Sequence, residues 1–263
     1  GRFSKLEALF VPAFEPARFA GSGRWQPAQF ASLSRLPPQN IIRPDTTTLD
    51  YAQGGLRFTT TIGGAADLGV QYYYGRRTTP SVTGTMAAPP AVIVTFAYDP
   101  YHQIGLDYAQ VVAGFNLRAE AAANITEDTA GDDGAVYNPS LAWSLGFDRD
   151  LAGITVNLQC NETIRLLDGE IRGPQDIEAG SDITSTRISA QISKKFFQDK
   201  LELKAIALWE VEAGACILMP FVTWTKDDVE LALSSGIFLG SEEGLFGQFH
   251  DNSFIKLGIT YTF

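Results

Sequence analysis

The stretch SFIKLGITYTF alternates strictly, with Ile255, Leu257, Ile259, Tyr261 and Phe263 apolar and Lys256, Gly258, Thr260 and Thr262 between them. A two-residue period belongs to a strand with one apolar and one polar face, because successive Cβ atoms point to opposite sides. The period recurs upstream. Leu68, Val70, Tyr72 and Tyr74 alternate with Asp67, Gly69 and Gln71; Phe115, Leu117, Ala119 and Ala121 alternate with Asn116, Arg118 and Glu120. Similar runs follow at Leu141–Phe147, Ile154–Cys160, Ile188–Ile192 and Leu201–Val211. No 3.6-residue stripe competes with them. The chain is predicted to be all-β, with about twelve strands, at 5–14, 49–62, 67–79, 91–112, 115–125, 135–147, 153–167, 181–196, 201–212, 216–226, 229–239 and 253–263.

Strand length narrows the class. Strands of a β-sandwich run about 5–6 residues, whereas most of these runs have the length that a tilted strand needs to cross a bilayer. Aromatics gather near the ends of the apolar faces, at Tyr72, Tyr74, Phe147, Phe196, Phe197, Trp209, Trp224, Tyr261 and Phe263, as interfacial girdles do. The alternate positions then face inward: Arg57, Asp67, Asp107, Arg118, Glu120, Arg165, Arg187, Lys195, Glu202, Lys204, Glu210 and Lys256. A Lys or Arg facing lipid at mid-membrane would cost about 2–4 kcal/mol, so these twelve are the predicted pore lining. The expected fold is a transmembrane antiparallel up-and-down β-barrel forming one domain over residues 1–263.

The connections sort by length. Gly63–Ala66, Ala113–Gly114, Asp148–Ala152, Phe197–Lys200 and Asp227–Asp228 are short; 15–48, 80–90, 127–134, 168–180 and 240–252 are long, and 213–215 is the exception. Short periplasmic turns and long external loops are the barrel rule, and parity puts both termini in the periplasm. Because lipid offers no hydrogen bonds, the first and last strands are expected to meet, unless another chain or missing N-terminal strands close the gap. The start GRFSKLEALF lacks the regions of a signal peptide, so the chain reads as mature or truncated. The 15–48 segment carries five prolines with Arg18, Arg24, Arg35 and Arg43. Loops of that length are usually functional or disordered, and two readings stay open: a positively charged candidate constriction folded into the barrel mouth, or an external loop whose arginines pair with acids or lipid phosphates.

Composition excludes other classes. Thirty acids against twenty bases give a net charge of −10, and no basic block exists to neutralise phosphates, so a nucleic-acid partner is excluded. Cys160 and Cys216 lack metal-ligand spacing, and whether they pair is open. The acidic segment TEDTAGDDG lacks the ligand spacing of an EF-hand and reads as a solvated loop. No metal or cofactor is expected. His102 and His250 have no serine at a defensible spacing and no GxSxG occurs, so an outer-membrane lipase is the weakest alternative and no enzymatic activity is expected.

The aromatic end at Tyr261 and Phe263 resembles the C-terminal assembly signal of bacterial outer-membrane barrels, which implies the barrel-assembly machinery as a partner. LEALFVPAFEPARF and YDPYHQIGLDYAQVVAGFNLRAEAA resemble large outer-membrane proteins of the alginate-export and related porin-like families, over residues 5–125. Those proteins generally have more strands and begin well upstream of a motif like LFVPAF, so the resemblance implies the C-terminal part of a larger barrel. It implies the outer membrane of a diderm bacterium, lipid contact, and passive movement of small polar or anionic solutes. The alternative is a structural or assembly subunit with a plugged lumen.

Overall fold

The computed structural model describes residues 4–86 and 92–263. The strands in chain order are β1 (Ser4–Val11), β2 (Ile41–Ile42), β3 (Gln53–Ile62), β4 (Ala66–Arg76), β5 (Ser81–Met86), β6 (Val92–Ala97), β7 (Pro100–Val112), β8 (Phe115–Thr126), β9 (Ser140–Leu151), β10 (Ile154–Arg165), β11 (Thr184–Phe196), β12 (Leu201–Glu210), β13 (Ala215–Lys226), β14 (Val229–Leu239) and β15 (Phe254–Tyr261). Twelve of them form one antiparallel sheet in the order β1-β3-β4-β7-β8-β9-β10-β11-β12-β13-β14-β15. The other three form a small sheet, β2-β6-β5, in which β2 runs parallel to β6. Among the described residues no helix is long and apolar enough to cross a membrane.

Each large-sheet strand overlaps one of the twelve expected from the alternation, with three corrections. The run expected at 91–112 is two strands. Its first residue lies outside the described ones, and at Tyr98–Asp99 the chain leaves β6 and enters the large sheet as β7. Pro100 opens β7, a position where the missing N–H costs no ladder bond. Secondly, β1 and β15 pair with β3 and β14 on one side only and not with each other, so the closed barrel is not formed by these strands. Thirdly, the loop expected at 15–48 holds three short 3-10 turns, Ala28–Phe30, Leu33–Arg35 and Pro38–Asn40, before β2.

The tight turns follow from backbone chemistry. A two-residue hairpin matching the right-handed twist of its strands needs positive φ at both central positions. Ala113 and Gly114 have φ of 50° and 80°, and Ala152 and Gly153 have 55° and 78°.

The chain packs as two compact units. The first comprises Gly1–Tyr108, Glu120–Trp143 and Thr163–Thr184; the second Ala109–Ala119, Ser144–Glu162 and Ser185–Phe263. The first holds the small sheet and a core of Phe14, Val94, Phe96 and Tyr98. In the second, Ala215, Ile217 and Phe238 are buried where the 3-10 segment Gly247–Asn252 packs on β13 and β14.

Candidate functional site

Register divides each unit's sheet into two unlike faces. In the first unit, Leu6, Phe58 and Val70 stand in one row across β1, β3 and β4, and Ala8, Leu56 and Tyr72 in the next. In the second, Lys194, Leu203, Val222, Leu233 and Leu257 form one row, with Phe196, Leu201, Trp224, Leu231 and Ile259 beside it. These side chains meet no covering layer. Leu6 is 71% exposed, and Leu257 and Ile259 are each 70% exposed. Among the described residues of the second unit, three basic residues stand at the parity of this apolar face, Arg149, Lys194 and Lys226, each within a few residues of a short turn. Arg149 lies over the ring of Phe115 and Lys194 over that of Phe196, an arrangement that lets long side chains carry their charge toward water.

The opposite face carries the candidate lining. In the first unit, Arg57 sits between Glu7 and Gln71 and donates to Asp107 at 2.9 Å. Asp107 reaches it through the space left by Gly69, where a Cβ would lie 2.1 Å from the carboxylate. Asp67 accepts from the Thr61 hydroxyl at 2.7 Å. Further along, Tyr73 donates to Gln53 at 2.9 Å, and Gln103 to Asn124 at 2.9 Å. Beyond them Arg76, Arg77, Tyr101, Gln103 and Asn124 line a polar cavity of about 320 Å³. Arg76 is committed to the carbonyls of Tyr98 and Asp50, at 2.8 and 2.7 Å. Arg77 lies over Tyr137, 4.2 Å from the ring centre, and supplies the cavity's charge. Glu120 is exposed on β8, at the same parity as Asn124.

In the second unit, Arg118 and Asn116 both donate to Asp148, Asn116 at 2.6 Å. Lys195 stands opposite Glu202, and Arg187 opposite Glu210. Lys204 stands opposite Ser193 and lies over Phe221 at 4.9 Å; Lys256 faces Ser234.

Two of the twelve do other work. Arg165 is 9% exposed and is spent on the 166–183 loop: it donates to Ser181 Oγ at 2.7 Å, Ser181 O at 3.0 Å and Asp168 at 2.5 Å. It clamps a loop and does not line open space. Glu210 accepts from the Leu245 amide at 2.7 Å, which anchors the 240–253 segment. The connection expected as an external loop at 240–252 folds onto the sheet, with Phe249 edge-on to Phe238 at 6.1 Å.

Several loop acids satisfy backbone amides. Asp128 accepts from the amides of Gly131, Asp132 and Asp133, and Glu178 from that of Asn138 at 2.7 Å. Burial pushes the Glu178 carboxyl up, opposed by the Asn138 amide and then by Arg165 and Arg77. Burial also raises Asp99, against Ser81, Arg77 and Arg76, and its Oδ2 is buried without a hydrogen-bond partner. His102 Nδ1 meets the Tyr72 hydroxyl at 2.7 Å on the apolar face, and His250 lies 3.2 Å from Asp251. The Ser253 hydroxyl donates to the His250 carbonyl at 3.2 Å, not to its ring. Cys160 and Cys216 are free.

Of the four segment arginines, Arg18 pairs with Glu15, Arg24 lies over Trp25 at 5.2 Å and Arg43 over Phe96 at 4.8 Å. Arg35 ends a 3-10 turn. The alternation missed Arg77, because it lies one residue beyond β4, although the Arg76–Arg77 pair at a strand end was a readable signal. No family model matches the chain and no curated protein matches it.

Proposed function

We propose that this chain forms the wall of an outer-membrane pore, with its apolar face toward lipid and its polar face toward water, and that small polar or anionic solutes pass along the polar face. The observation that carries the reading is the sidedness of the sheet. Soluble monomers rarely expose contiguous apolar patches beyond a few hundred Å², yet rows of Leu, Ile, Val and aromatic side chains lie uncovered across adjacent strands. Along β12 the apolar rows run from Leu201 to Trp209, eight steps or roughly 27 Å at 3.4 Å per residue before tilt, comparable with an apolar band about 25 Å tall. The placement of Arg149, Lys194 and Lys226 near the short turns fits the same picture, since basic side chains are tolerated at the interface and costly at the midplane. In lipid the free edges of β1 and β15 must be satisfied by strand pairing, and β15 is the strand we expect the assembly machinery to receive.

The test is conductance in planar bilayers after refolding into detergent. Stable open steps support the pore. Silent insertion would favour the structural subunit, a reading supported by the 240–253 segment lying on the polar side. A protein that stays soluble without detergent would overturn both.

A further inference from the structure

We propose that the cavity between the 15–44 segment and the small sheet binds a small amphipathic carboxylate, with a compact aromatic or aliphatic body and one anionic head. The cavity measures about 570 Å³, within the roughly 300–1,000 Å³ usual for small-molecule sites. Its body-contacting wall is apolar: Phe19, Phe30, Leu33, Ile41 and Phe96, with the Phe19 and Phe30 rings 4.4 Å apart.

The walls are held in place before any ligand arrives. Ala17 N donates to Thr78 O at 3.0 Å, Asn40 Nδ2 to Val92 O at 3.0 Å, and Gln26 Nε2 to Gly21 O and Phe30 O at 3.1 and 3.4 Å. Ile41 and Ile42 pair with Val94 and Thr95. A cavity built this way avoids much of the ordering cost of binding.

Charge selects the head group. Glu15, the acid in the lining, is neutralised by Arg18. Arg43 is exposed at the cavity, rests on the face of Phe96, and pairs with no carboxylate among the described residues. A cationic ligand would meet uncompensated positive charge there, and a neutral one would leave it unused. Tyr98 lines the same cavity, and burial holds its hydroxyl protonated beyond the ordinary tyrosine range, so it remains available as a donor.

The experiment titrates the detergent-refolded protein calorimetrically with 4-phenylbutyrate, 4-phenylbutanol and 4-phenylbutylamine, which share one body. The expected order is carboxylate, then alcohol, then amine, with carboxylate at least tenfold tighter than alcohol. Arg43→Gln should bring the carboxylate down to the alcohol, and Arg43→Lys should retain the preference. Because Arg43 is exposed, neither change threatens folding. Leu33→Trp, which fills the cavity, should abolish binding of all three. Equal affinity for carboxylate and alcohol, indifference to Arg43→Gln, persistence in Leu33→Trp, or no binding at all would each overturn the proposal. None of these readouts depends on conductance.

Discussion

Glu178 is a single acid whose surroundings oppose its charge. Burial outweighs the Asn138 amide, Arg165 and Arg77, while Asp176 adds repulsion. The folded chain therefore holds this proton more tightly than the unfolded chain does. Its contribution to stability is most favourable at low pH and declines as pH rises from the ordinary carboxylate range through the raised value. Glutamine keeps an acceptor for the Asn138 amide and removes the charge. Glu178→Gln is expected to flatten the pH dependence of hydrogen exchange at Asn138, and an unchanged profile would count against burial as the cause. Arg165 differs, since its guanidinium has several partners in one loop. Arg165→Ala should expose 166–183 to proteolysis, because the guanidinium's bonds to Ser181 and Asp168 are lost together. Neither role was legible in the sequence. The alternation specifies which side of β10 Arg165 occupies, but not that a loop 13–16 residues downstream returns to cover it.

At the scale of elements, what was legible was the period. β12 and β15 could be read almost to the residue because apolar and polar positions alternate without a break. The division between β6 and β7 was hidden by the same rule. Val92, Val94, Phe96 and Tyr98 keep the alternation running to the end of one sheet, and only Asp99–Pro100 marks the departure. The fold-back of 240–253 had a signal too, in Phe246 and Phe249 placed among acids. Pro220 shows an element tolerating an awkward residue. It pairs in register with Ala205 of β12, while the ladder with β14 passes from Leu218–Ile237 to Phe221–Ser234 without bridging at Met219 and Pro220. A proline cannot donate to that ladder. Pro220→Val would restore one donor on a strand whose register is otherwise unbroken, and should stabilise the sheet by about 1 kcal/mol, measured as a shift in the urea midpoint.

For the whole molecule, selectivity should follow local charge on the polar face, because loop acids are screened over a Debye length of about 8 Å at physiological salt. The net charge of −10 is a poor guide. Setting aside Arg165 and Glu210, which serve loops, and adding Arg77, the candidate lining numbers seven bases and four acids, but Lys5, Glu7, Asp148, Asp150 and Glu230 stand at the same strand parity and bring that face to eight of each. Arg77→Gln combined with Lys204→Gln should therefore shift the reversal potential in a salt gradient toward cation selectivity, and an unchanged potential would contradict the assignment of that face to the aqueous side. Phe249 would make a poor control for any assembly experiment on Phe263, since it packs on Phe238. The short β12–β13 connection matters in a different way. Four residues, 211–214, join those strands, and the 240–253 segment rests against them: Gly240 and Gly244 have no room for a Cβ beside Gly214, Ala213 and Ala215. A peptide tag inserted after Ala213 would therefore unseat a neighbouring loop as well as lengthen its own. At Gly173, where a Cβ would meet nothing within 4 Å, the same tag should be carried silently, making it the better site for a surface label.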